Sequence, residues 1–305
     1  MATNAKNLAE LLNTDTTVAV GDVADNSITA DKLDIVGNGN AGQFLKTDGD
    51  GSFSYIDAPT VKTPTQQIFT ADGTWTRPTG CTKVRVTVIG GGGGAGGNKT
   101  YAGYNGHVGI NGAGGGGGTS IKLLDVSSIA SVTVTVGDGG AGGAASTLST
   151  PQAGSAGGTS SFGTYATANG GGGGSPCGFP GNASASSDYP TLAGFPGVGG
   201  TAADGDLNLK GEDGHLPARD HGEGIFSSGY TLQVTGPRGG QAAGLSAGNA
   251  RGTGNFSSQQ AAGGGSAGEA NTGNGGQSVA ANRLSYGSTG AAGGSGIVIV
   301  DEFYS

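Results

Sequence analysis

Residues 83–94 read KVRVTVIGGGGG and pass from a strand pattern directly into a run of glycines. In the first half, Val84, Val86 and Val88 alternate with polar residues, which places the three valines on one face of a β-strand. The second half consists of glycines, whose side chain is a single hydrogen atom. Because this direct join between a half-buried strand and a glycine run recurs along the chain, we use it to predict the fold.

Further strand patterns lie on both sides of this stretch. Residues 131–136 (SVTVTV) show the cleanest alternation, and residues 296–300 (GIVIV) are apolar throughout, as in a strand covered on both faces. Shorter strand patterns occupy residues 67–69, 73–76, 120–124, 160–162 and 165–168. About seven strands, present at both ends of the glycine-rich part, predict a mainly β fold: a small antiparallel β-sandwich.

Glycine accounts for 69 of the 305 residues. Without a Cβ atom, extended glycine runs can form threefold helices close to polyproline II, pack side by side and hydrogen-bond to one another. The rival interpretation is a set of flexible linkers. The absence of interspersed charges and the return to strands favour ordered, polyglycine II-like insertions. The runs in question are 90–94, 114–118, 170–174 and the shorter 263–265.

The composition excludes several classes of protein. Charged residues make up 12% and aromatic residues 6%, so bulky side chains are too few for a conventional enzyme core. A net charge of −8 disfavours nucleic acid and anionic membranes as partners. Cys81 and Cys177 are far apart and fit neither a disulfide framework nor a zinc site, so we predict buried free thiols.

Sequence motifs for catalysis are unconvincing in so glycine-rich a chain. Residues 244–248 and 264–268 satisfy Gly-x-Ser-x-Gly, but neither follows a strand and opens a helix, as a nucleophile elbow must. Residues 96–100 resemble a phosphate loop, but Asn98 separates the glycine from the lysine. We therefore expect no catalytic residues, no enzyme activity and no cofactor.

The first 60 residues differ from the rest in charge. They hold three basic and nine acidic side chains, and so contribute −6 of the net charge of −8. Leu8, Leu11 and Leu12 share one face of a predicted short helix over residues 4–13, which is too short to be stable alone. Residues 42–55 predict a β-hairpin with Asp-Gly turns. The predicted divisions are an anchor or connector at 1–36, a hairpin linker at 37–64 and a glycine-rich β-sandwich at 65–305.

Residues 69–78 (FTADGTWTRP), the strand and glycine run that follow, and the closing residues 296–304 (GIVIVDEFY) resemble the glycine-rich domain of bacteriophage tail-fibre proteins. The hairpin and residues 26–33 (NSITADKL) also resemble parts of phage fibres. This resemblance implies a virion protein on the phage tail or particle surface, assembled as a homotrimer. It further implies that the N-terminus, with Leu8, Leu11 and Leu12, attaches to another phage tail or capsid protein.

Large side chains in the variable part of the chain are the candidate receptor-binding residues. Aromatic side chains on loops of a rigid scaffold suit sugar stacking or protein contact, although they could equally pack beneath the loops or in a subunit interface. Residues 212–223 combine two histidines with four carboxylates and predict a solvated loop, a recognition surface or, without familiar ligand spacing, a metal site. The candidate residues are Tyr101, Tyr104, His107, Phe179, Tyr189, Phe195, His215, His221, Phe226 and Tyr230.

The expected function is non-enzymatic attachment to a bacterial surface glycan or outer-membrane protein, strengthened by multivalent contact. The alternative is a structural decoration of the capsid or tail that never contacts the receptor. An enzyme that degrades surface polysaccharide ranks third, because no carboxylate pair stands out as its catalytic centre.

Overall fold

A computed structural model describes residues 40–49, 53–58, 62–97, 109–146, 152–176, 192–215, 232–235, 238–242, 253–256, 265–278, 280–281 and 289–304. The chain forms two compact units, Met1–Val61 and Lys62–Ser305. Strands and turns make up the regular structure of the described residues, which contain no helix and therefore none long and apolar enough to cross a membrane. The predicted helix with Leu8, Leu11 and Leu12 lies outside these residues.

The described part of the first unit is the predicted hairpin. Strands β1 (Gln43–Thr47) and β2 (Phe53–Asp57) pair antiparallel. Gly49 adopts φ +84° where the chain begins to turn, a conformation that side chains disfavour. The Nε2 group of Gln43 donates to Oδ1 of Asp57 at 2.8 Å and closes the open end of the hairpin.

The second unit contains a sandwich of two five-stranded antiparallel sheets. The front sheet has the order β13-β7-β5-β17-β3, and the back sheet has the order β12-β10-β9-β8-β4. The front strands are β3 (Thr65–Phe69), β5 (Cys81–Ile89), β7 (Thr119–Asp125), β13 (Leu207–Leu209) and β17 (Ile297–Tyr304). The back strands are β4 (Gly73–Thr76), β8 (Ser131–Thr135), β9 (Ser160–Phe162), β10 (Ala166–Ala168) and β12 (Ala202–Ala203).

Five further short strands lie outside the sandwich. A three-stranded sheet has the order β11-β6-β16, in which β11 runs parallel and β16 antiparallel to the central strand. A separate antiparallel pair is formed by β14 and β15. These strands are β6 (Gly109–Ile110), β11 (Leu192–Ala193), β14 (Leu232–Thr235), β15 (Thr253–Phe256) and β16 (Ala280–Ala281).

The apolar core lies between the front and back sheets, where the alternating sequences predict it. Trp75 of β4 and Phe162 of β9 supply its largest side chains, and their ring centroids are 5.7 Å apart. The valines of β5 face them across the sandwich. The buried cluster comprises Trp75, Cys81, Val84, Val86, Val88, Val126, Val132, Val134, Phe162, Ala166, Ala168, Val298 and Val300.

Two details of the sandwich differ from the expectation. Strand β17 is buried on its inner face through Val298 and Val300, but Ile297 and Ile299 on the other face are only half-buried. Strands β12 and β13 extend the two sheets beyond the strands that the patterns predict. They contain two and three residues, too few for a periodicity to be recognised, and they form through pairing with β10 and β7.

Cys81 is a free cysteine buried in the core, as predicted. Burial raises the pKa of the Cys81 thiol, and the nearby Glu302 carboxylate raises it further. Such a thiol behaves as a small apolar side chain. Cys177 lies outside the described residues.

Candidate binding surface on the glycine bundle

The glycine run at 90–97 hydrogen-bonds with a threefold period. The N–H groups of Gly90, Gly93 and Gly96 donate to one neighbouring segment, to the carbonyls of Gly118, Gly115 and Gly112, at 2.8–3.0 Å. Every third N–H therefore points in the same direction, as in a helix with three residues per turn. The acceptor number falls as the donor number rises, so the two segments are antiparallel.

The same run is surrounded by six segments. Its remaining N–H groups donate to two further antiparallel neighbours, while three other segments donate to its carbonyls. The Gly140 N–H, for example, donates to the Gly92 carbonyl at 2.8 Å, and the Gly143 N–H to the Ala95 carbonyl at 2.8 Å. Six neighbours around one threefold helix make a hexagonal array. The acceptor segments are 112–118, 152–158 and 289–296, and the donor segments are 137–144, 169–176 and 273–278.

A second run, 112–118, is enclosed in the same way and extends the array. Its N–H groups donate to segments 169–176, 211–215 and 273–278, and it accepts from 90–97, 194–201 and 238–242. We call the whole array the glycine bundle. It comprises residues 90–97, 112–118, 137–144, 152–158, 169–176, 194–201, 211–215, 238–242, 265–268, 273–278 and 289–296. The ordered, polyglycine II-like insertions predicted at 90–94, 114–118 and 170–174 are confirmed, whereas of the predicted run at 263–265 only Gly265 lies within the described residues.

Close approach of backbones explains the glycine content. A Cβ atom placed on Gly92 would lie 2.0 Å from the carbonyl oxygen of Asn274, and one on Gly93 would lie 2.0 Å from that of Gly172. No rotamer relieves such a contact, because the obstacle is backbone. On one run the positions that carry side chains recur at the threefold period on the outside, as the exposed Asp138, Ala141 and Ala144 do.

The glycine bundle has two distinct ends. At one end its runs continue directly into sandwich strands, as Gly90 does from β5 and Gly296 into β17. At the other end, eight residues along the first run, the described part of that run ends at Gly97. We call this second end the far end. The three-stranded sheet of β6, β11 and β16 directly adjoins the bundle segments there.

Eight of the ten candidate receptor-binding residues lie outside the described residues: Tyr101, Tyr104, His107, Phe179, Tyr189, His221, Phe226 and Tyr230. The segments that hold them start from described residues of the far end: Gly97, Pro176 and His215. Backbone hydrogen bonds place these three at similar depth, because the Gly96 N–H donates to Gly112, the Gly112 N–H to Ser175, and the Gly214 N–H to Gly197, which in turn donates to Ala113. The described residues that follow the segments are Gly109, Leu192 and Leu232.

Phe195 is a candidate residue that the structure describes, and its side chain is 77% exposed on the flank of the bundle. Val198, three residues later, is 60% exposed, and Thr201 continues the same line. The threefold helix repeats about every 9 Å and aligns these three side chains. We call Phe195, Val198 and Thr201 the flank stripe. Its backbone is held by N–H donors from Ser175, Gly172 and Asn169 at 2.7–2.8 Å.

Val198 and Thr201, the neighbours of Phe195 in this stripe, are not among the residues predicted from the sequence. The signal that identifies them is residues 194–201, GFPGVGGT, in which large residues recur at every third position of a glycine-rich segment. A period of three matches neither the two-residue alternation of a β-strand nor the 3.6 residues per turn of an α-helix. It therefore becomes informative only once the threefold helix is recognised.

The described part of the acidic cluster at 212–223 borders the flank stripe and is partly structural. Asp213 Oδ1 accepts from the Gly199 N–H and from Lys210 Nζ, both at 2.7 Å. The Lys210 hydrogen bond, followed by that of Gly199, lowers the pKa of Asp213. Glu212 Oε2 accepts from the Gln241 N–H at 3.3 Å, and His215 is exposed.

The described residues hold no group of three or more histidine, cysteine, aspartate or glutamate side chains suited to a metal ion. Asp213 already accepts two hydrogen bonds that hold the bundle together. His221 and the rest of the cluster at 216–223 lie outside the described part, so the absence of a metal there stays a prediction.

A comparison with protein-family models matches residues 65–302 to the glycine-rich domain family. A search of the curated proteins finds no match. The matched region runs from the first strand of the sandwich to the buried Glu302 of the last, so it includes both the sandwich and the glycine bundle. On the strength of this match over more than half of its length, the chain belongs to the glycine-rich domain family.

Proposed function

We propose that this chain is a bacteriophage tail-fibre or fibre-tip protein that attaches the virion to its bacterial host without enzymatic activity. In this proposal the N-terminal residues, including Leu8, Leu11 and Leu12, bind another tail or capsid protein. The glycine-rich unit presents its far end and flank to a surface glycan or outer-membrane protein. Copies act as a homotrimer, so that weak contacts combine into high avidity.

The observation that carries the proposal is the common location of the residues from which the candidate segments start. Gly97, Pro176 and His215 lie at the far end of a bundle whose backbone amides are hydrogen-bonded in three directions. Such a scaffold allows neighbouring segments to vary in sequence while their ends stay in place. The flank stripe joins the exposed Phe195 to a run whose Gly199 N–H is bonded to the Asp213 carboxylate, which is chemistry suited to sugars, since these stack on rings and donate hydroxyl hydrogen bonds.

The direct test is binding to cells. The full chain, labelled with a fluorophore, would be applied to a panel of bacterial strains and to an array of neutral and anionic glycans. We expect saturable binding to some strains and a reduction in phage adsorption when those strains are first incubated with the protein. A folded protein that binds no strain and leaves adsorption unchanged would favour the alternative, a capsid or tail decoration.

Two variants test the location of the binding surface. Replacing Tyr101, Tyr104, Tyr189 and Tyr230 together with alanine tests the far end, and Phe195→Ser tests the flank stripe. We expect each to weaken cell binding by about ten-fold or more, equivalent to about 1.4 kcal/mol. The matched control is Phe44→Ser, which removes another exposed phenylalanine from the hairpin of the first unit. Equal binding by all three folded variants would contradict the proposed location.

A further inference from the structure

The outward face of the front sheet carries a row of four aliphatic side chains with Thr87 at its centre. The strand registers place Ile68 beside Ile299, Ile299 beside Thr87, Thr87 beside Ile121, and Ile121 beside Leu207. The row therefore crosses the whole sheet from β3 to β13. We call these five residues the sheet row. Residues opposite one another on neighbouring strands are close enough for their side chains to form one surface.

This row is open to solvent at both edges of the front sheet. Ile68 is 55% exposed and Leu207 is 49% exposed. Leu123, on the same face of β7 and two residues from Ile121, is 58% exposed and widens the apolar surface. Single exposed apolar residues need no explanation, but a contiguous exposed apolar surface marks an interaction site.

The charges that border the sheet row balance one another. Lys83 and Arg85 lie on β5, between Asp301 on β17 and Asp125 on β7. Arg85 donates to Asp301 Oδ2 through Nε at 2.9 Å and through Nη2 at 2.7 Å. Two cations and two anions leave the face locally neutral in a chain whose net charge is −8. Two copies of the chain repel each other least when they meet at a neutral face.

The size of the face suits association between copies. Five strands about 4.8 Å apart, over about six residues at 3.4 Å each, give roughly 500 Å² per copy. In the proposed homotrimer, with this face turned toward the threefold axis, each copy would divide its roughly 500 Å² between two neighbours, so each pairwise contact is small. Self-association through this face is therefore weak and depends on protein concentration.

We propose that the sheet row, widened by Leu123, is the surface through which copies of this chain contact one another. The inference rests on the proposed function for its purpose, because multivalent attachment needs several copies. Its location rests on the sheet face alone: an apolar surface, its neutral border and its area. Because it belongs to the sandwich rather than the bundle, copies joined here keep their flank stripes and far ends free for a receptor.

The test is the oligomeric state of the full chain over a range of concentrations, measured by sedimentation velocity and light scattering. The variant Leu123→Lys with Leu207→Lys places two cations on the face at exposed positions. We expect the wild-type protein to self-associate and the variant to do so at least about ten-fold more weakly, because two buried charges oppose contact. Ile68→Lys, at the opposite edge of the sheet, provides an independent second variant.

The matched control is Phe44→Lys with Leu45→Lys, which makes the same chemical change at exposed positions of the first unit. It should associate as the wild type does. Wild-type protein that stays monomeric at its highest soluble concentration would overturn the proposal. Folded sheet-row variants that associate as strongly as the wild type would also overturn it. So would a result in which only the control variant loses association.

Cell binding separates this proposal from the proposed function. If the wild-type protein associates through the sheet row but binds no bacterial strain, the interface stands and the attachment function fails. If a monomeric sheet-row variant binds cells as tightly as an associated wild type, the attachment function stands. Self-association through the sheet row then does not serve to raise avidity. With both proposals correct, the variant binds the same strains with lower avidity.

Discussion

The carboxylate of Glu302 lies inside the sandwich, at the end of β17 away from the glycine bundle. It accepts hydrogen bonds from Trp75 Nε1 at 2.8 Å and Gln67 Nε2 at 2.6 Å, and also from the Thr65 hydroxyl. A buried charge is stable only when donors of this kind surround it. Its polar partners tie β3 and β4, from different sheets, to β17. The apolar core thus includes a polar connection between its two layers.

The change Glu302→Gln tests this connection. The amide can keep its oxygen for Trp75 Nε1 and Gln67 Nε2, but these hydrogen bonds lose their charged acceptor, and its NH2 group faces the Thr65 hydroxyl, which must then accept instead of donating. We expect a loss of about 1–3 kcal/mol in the free energy of unfolding. Urea unfolding followed by the fluorescence of Trp75, the single tryptophan, measures it. Glu269→Gln makes the same change at an exposed position and should alter stability by less than about 0.5 kcal/mol. Equal effects of the two variants would contradict the structural role of Glu302.

Asp213 makes a small, pH-dependent contribution to stability. Because its pKa in the folded protein lies below the ordinary 3.8, its interactions stabilise the fold above that value. This stabilisation is lost as the pH falls through the lower, folded-state pKa. More than half of the side chain is exposed, so the contribution is below about 1 kcal/mol.

The variant Asp213→Asn should therefore be less stable than the wild type near neutral pH. The difference should shrink as the pH falls below 3.8. Melting temperatures measured between neutral pH and the acid limit of solubility give the profile. Asp138→Asn, at an exposed position on another run of the bundle, controls for the loss of one negative charge. A stability difference between the two proteins that grows as the pH falls would contradict the stabilising role of the ionised Asp213.

At the level of elements, the glycine runs behave as a third kind of regular structure beside strands and turns. Each run hydrogen-bonds to other segments and not to itself, so a single run has no stability in isolation. Packing of backbone against backbone replaces the burial of apolar side chains. A substitution that adds side-chain volume should therefore destabilise a glycine run, whereas an apolar core is destabilised chiefly by substitutions that remove side-chain volume.

Alanine substitutions at the adjacent Gly171 and Gly172 test the effect of added side-chain volume on stability. A Cβ atom on Gly171 would lie 2.1 Å from the carbonyl oxygen of Gly115, whereas one on Gly172 would have no heavy atom nearer than 3.1 Å. We expect Gly171→Ala to cost more than about 3 kcal/mol, beyond the usual range for overpacking, or to prevent folding. Gly172→Ala should cost about 1 kcal/mol or less. Thermal unfolding by circular dichroism and the yield of folded protein distinguish the two, and similar values would contradict the packing.

At the scale of the second unit, the sandwich and the glycine bundle share continuous chain segments. Strand β5 becomes the central run of the bundle at Gly90, and β17 begins where the last run ends at Gly296. The described bundle runs contribute few buried apolar side chains, such as Ala95 and Ala113, so the large apolar burial is in the sandwich. Loss of the sandwich would release the ends of the runs. The two parts should therefore unfold together.

A core substitution far from the bundle tests this coupling. Val298→Ala removes two buried methyl groups from β17 and should cost about 2 kcal/mol. Amide hydrogen exchange under native conditions should then accelerate to the same extent in β5 and in residues 90–97. Val198→Ala makes the same change at a 60% exposed position outside the sheet row; it is the control and should change exchange little. Faster exchange in β5 with unchanged exchange at 90–97 would show that the bundle is an independent unit.

The sequence by itself determined the local structure of the second unit. Alternation in residues 83–89 and 131–136 specifies strands with one buried face, because side chains on a strand alternate between its two faces. Glycine runs bounded by such strands specify extended segments that pack closely, because only glycine lets backbones approach each other. The hairpin and the buried Cys81 were also predictable, from turn residues and from the small number of cysteines.

Only the tertiary structure decided which segments are neighbours. A run of identical glycines carries no side-chain pattern, so nothing in residues 90–94 specifies that segments 112–118, 152–158 and 289–296 accept its hydrogen bonds. The flank stripe and the sheet row depend on the same information, since Phe195 and Val198 align through a threefold helix and Ile68 and Leu207 through four strand registers. Local patterns follow from the chemistry of neighbouring residues, whereas register and packing follow from the three-dimensional closure of the whole unit.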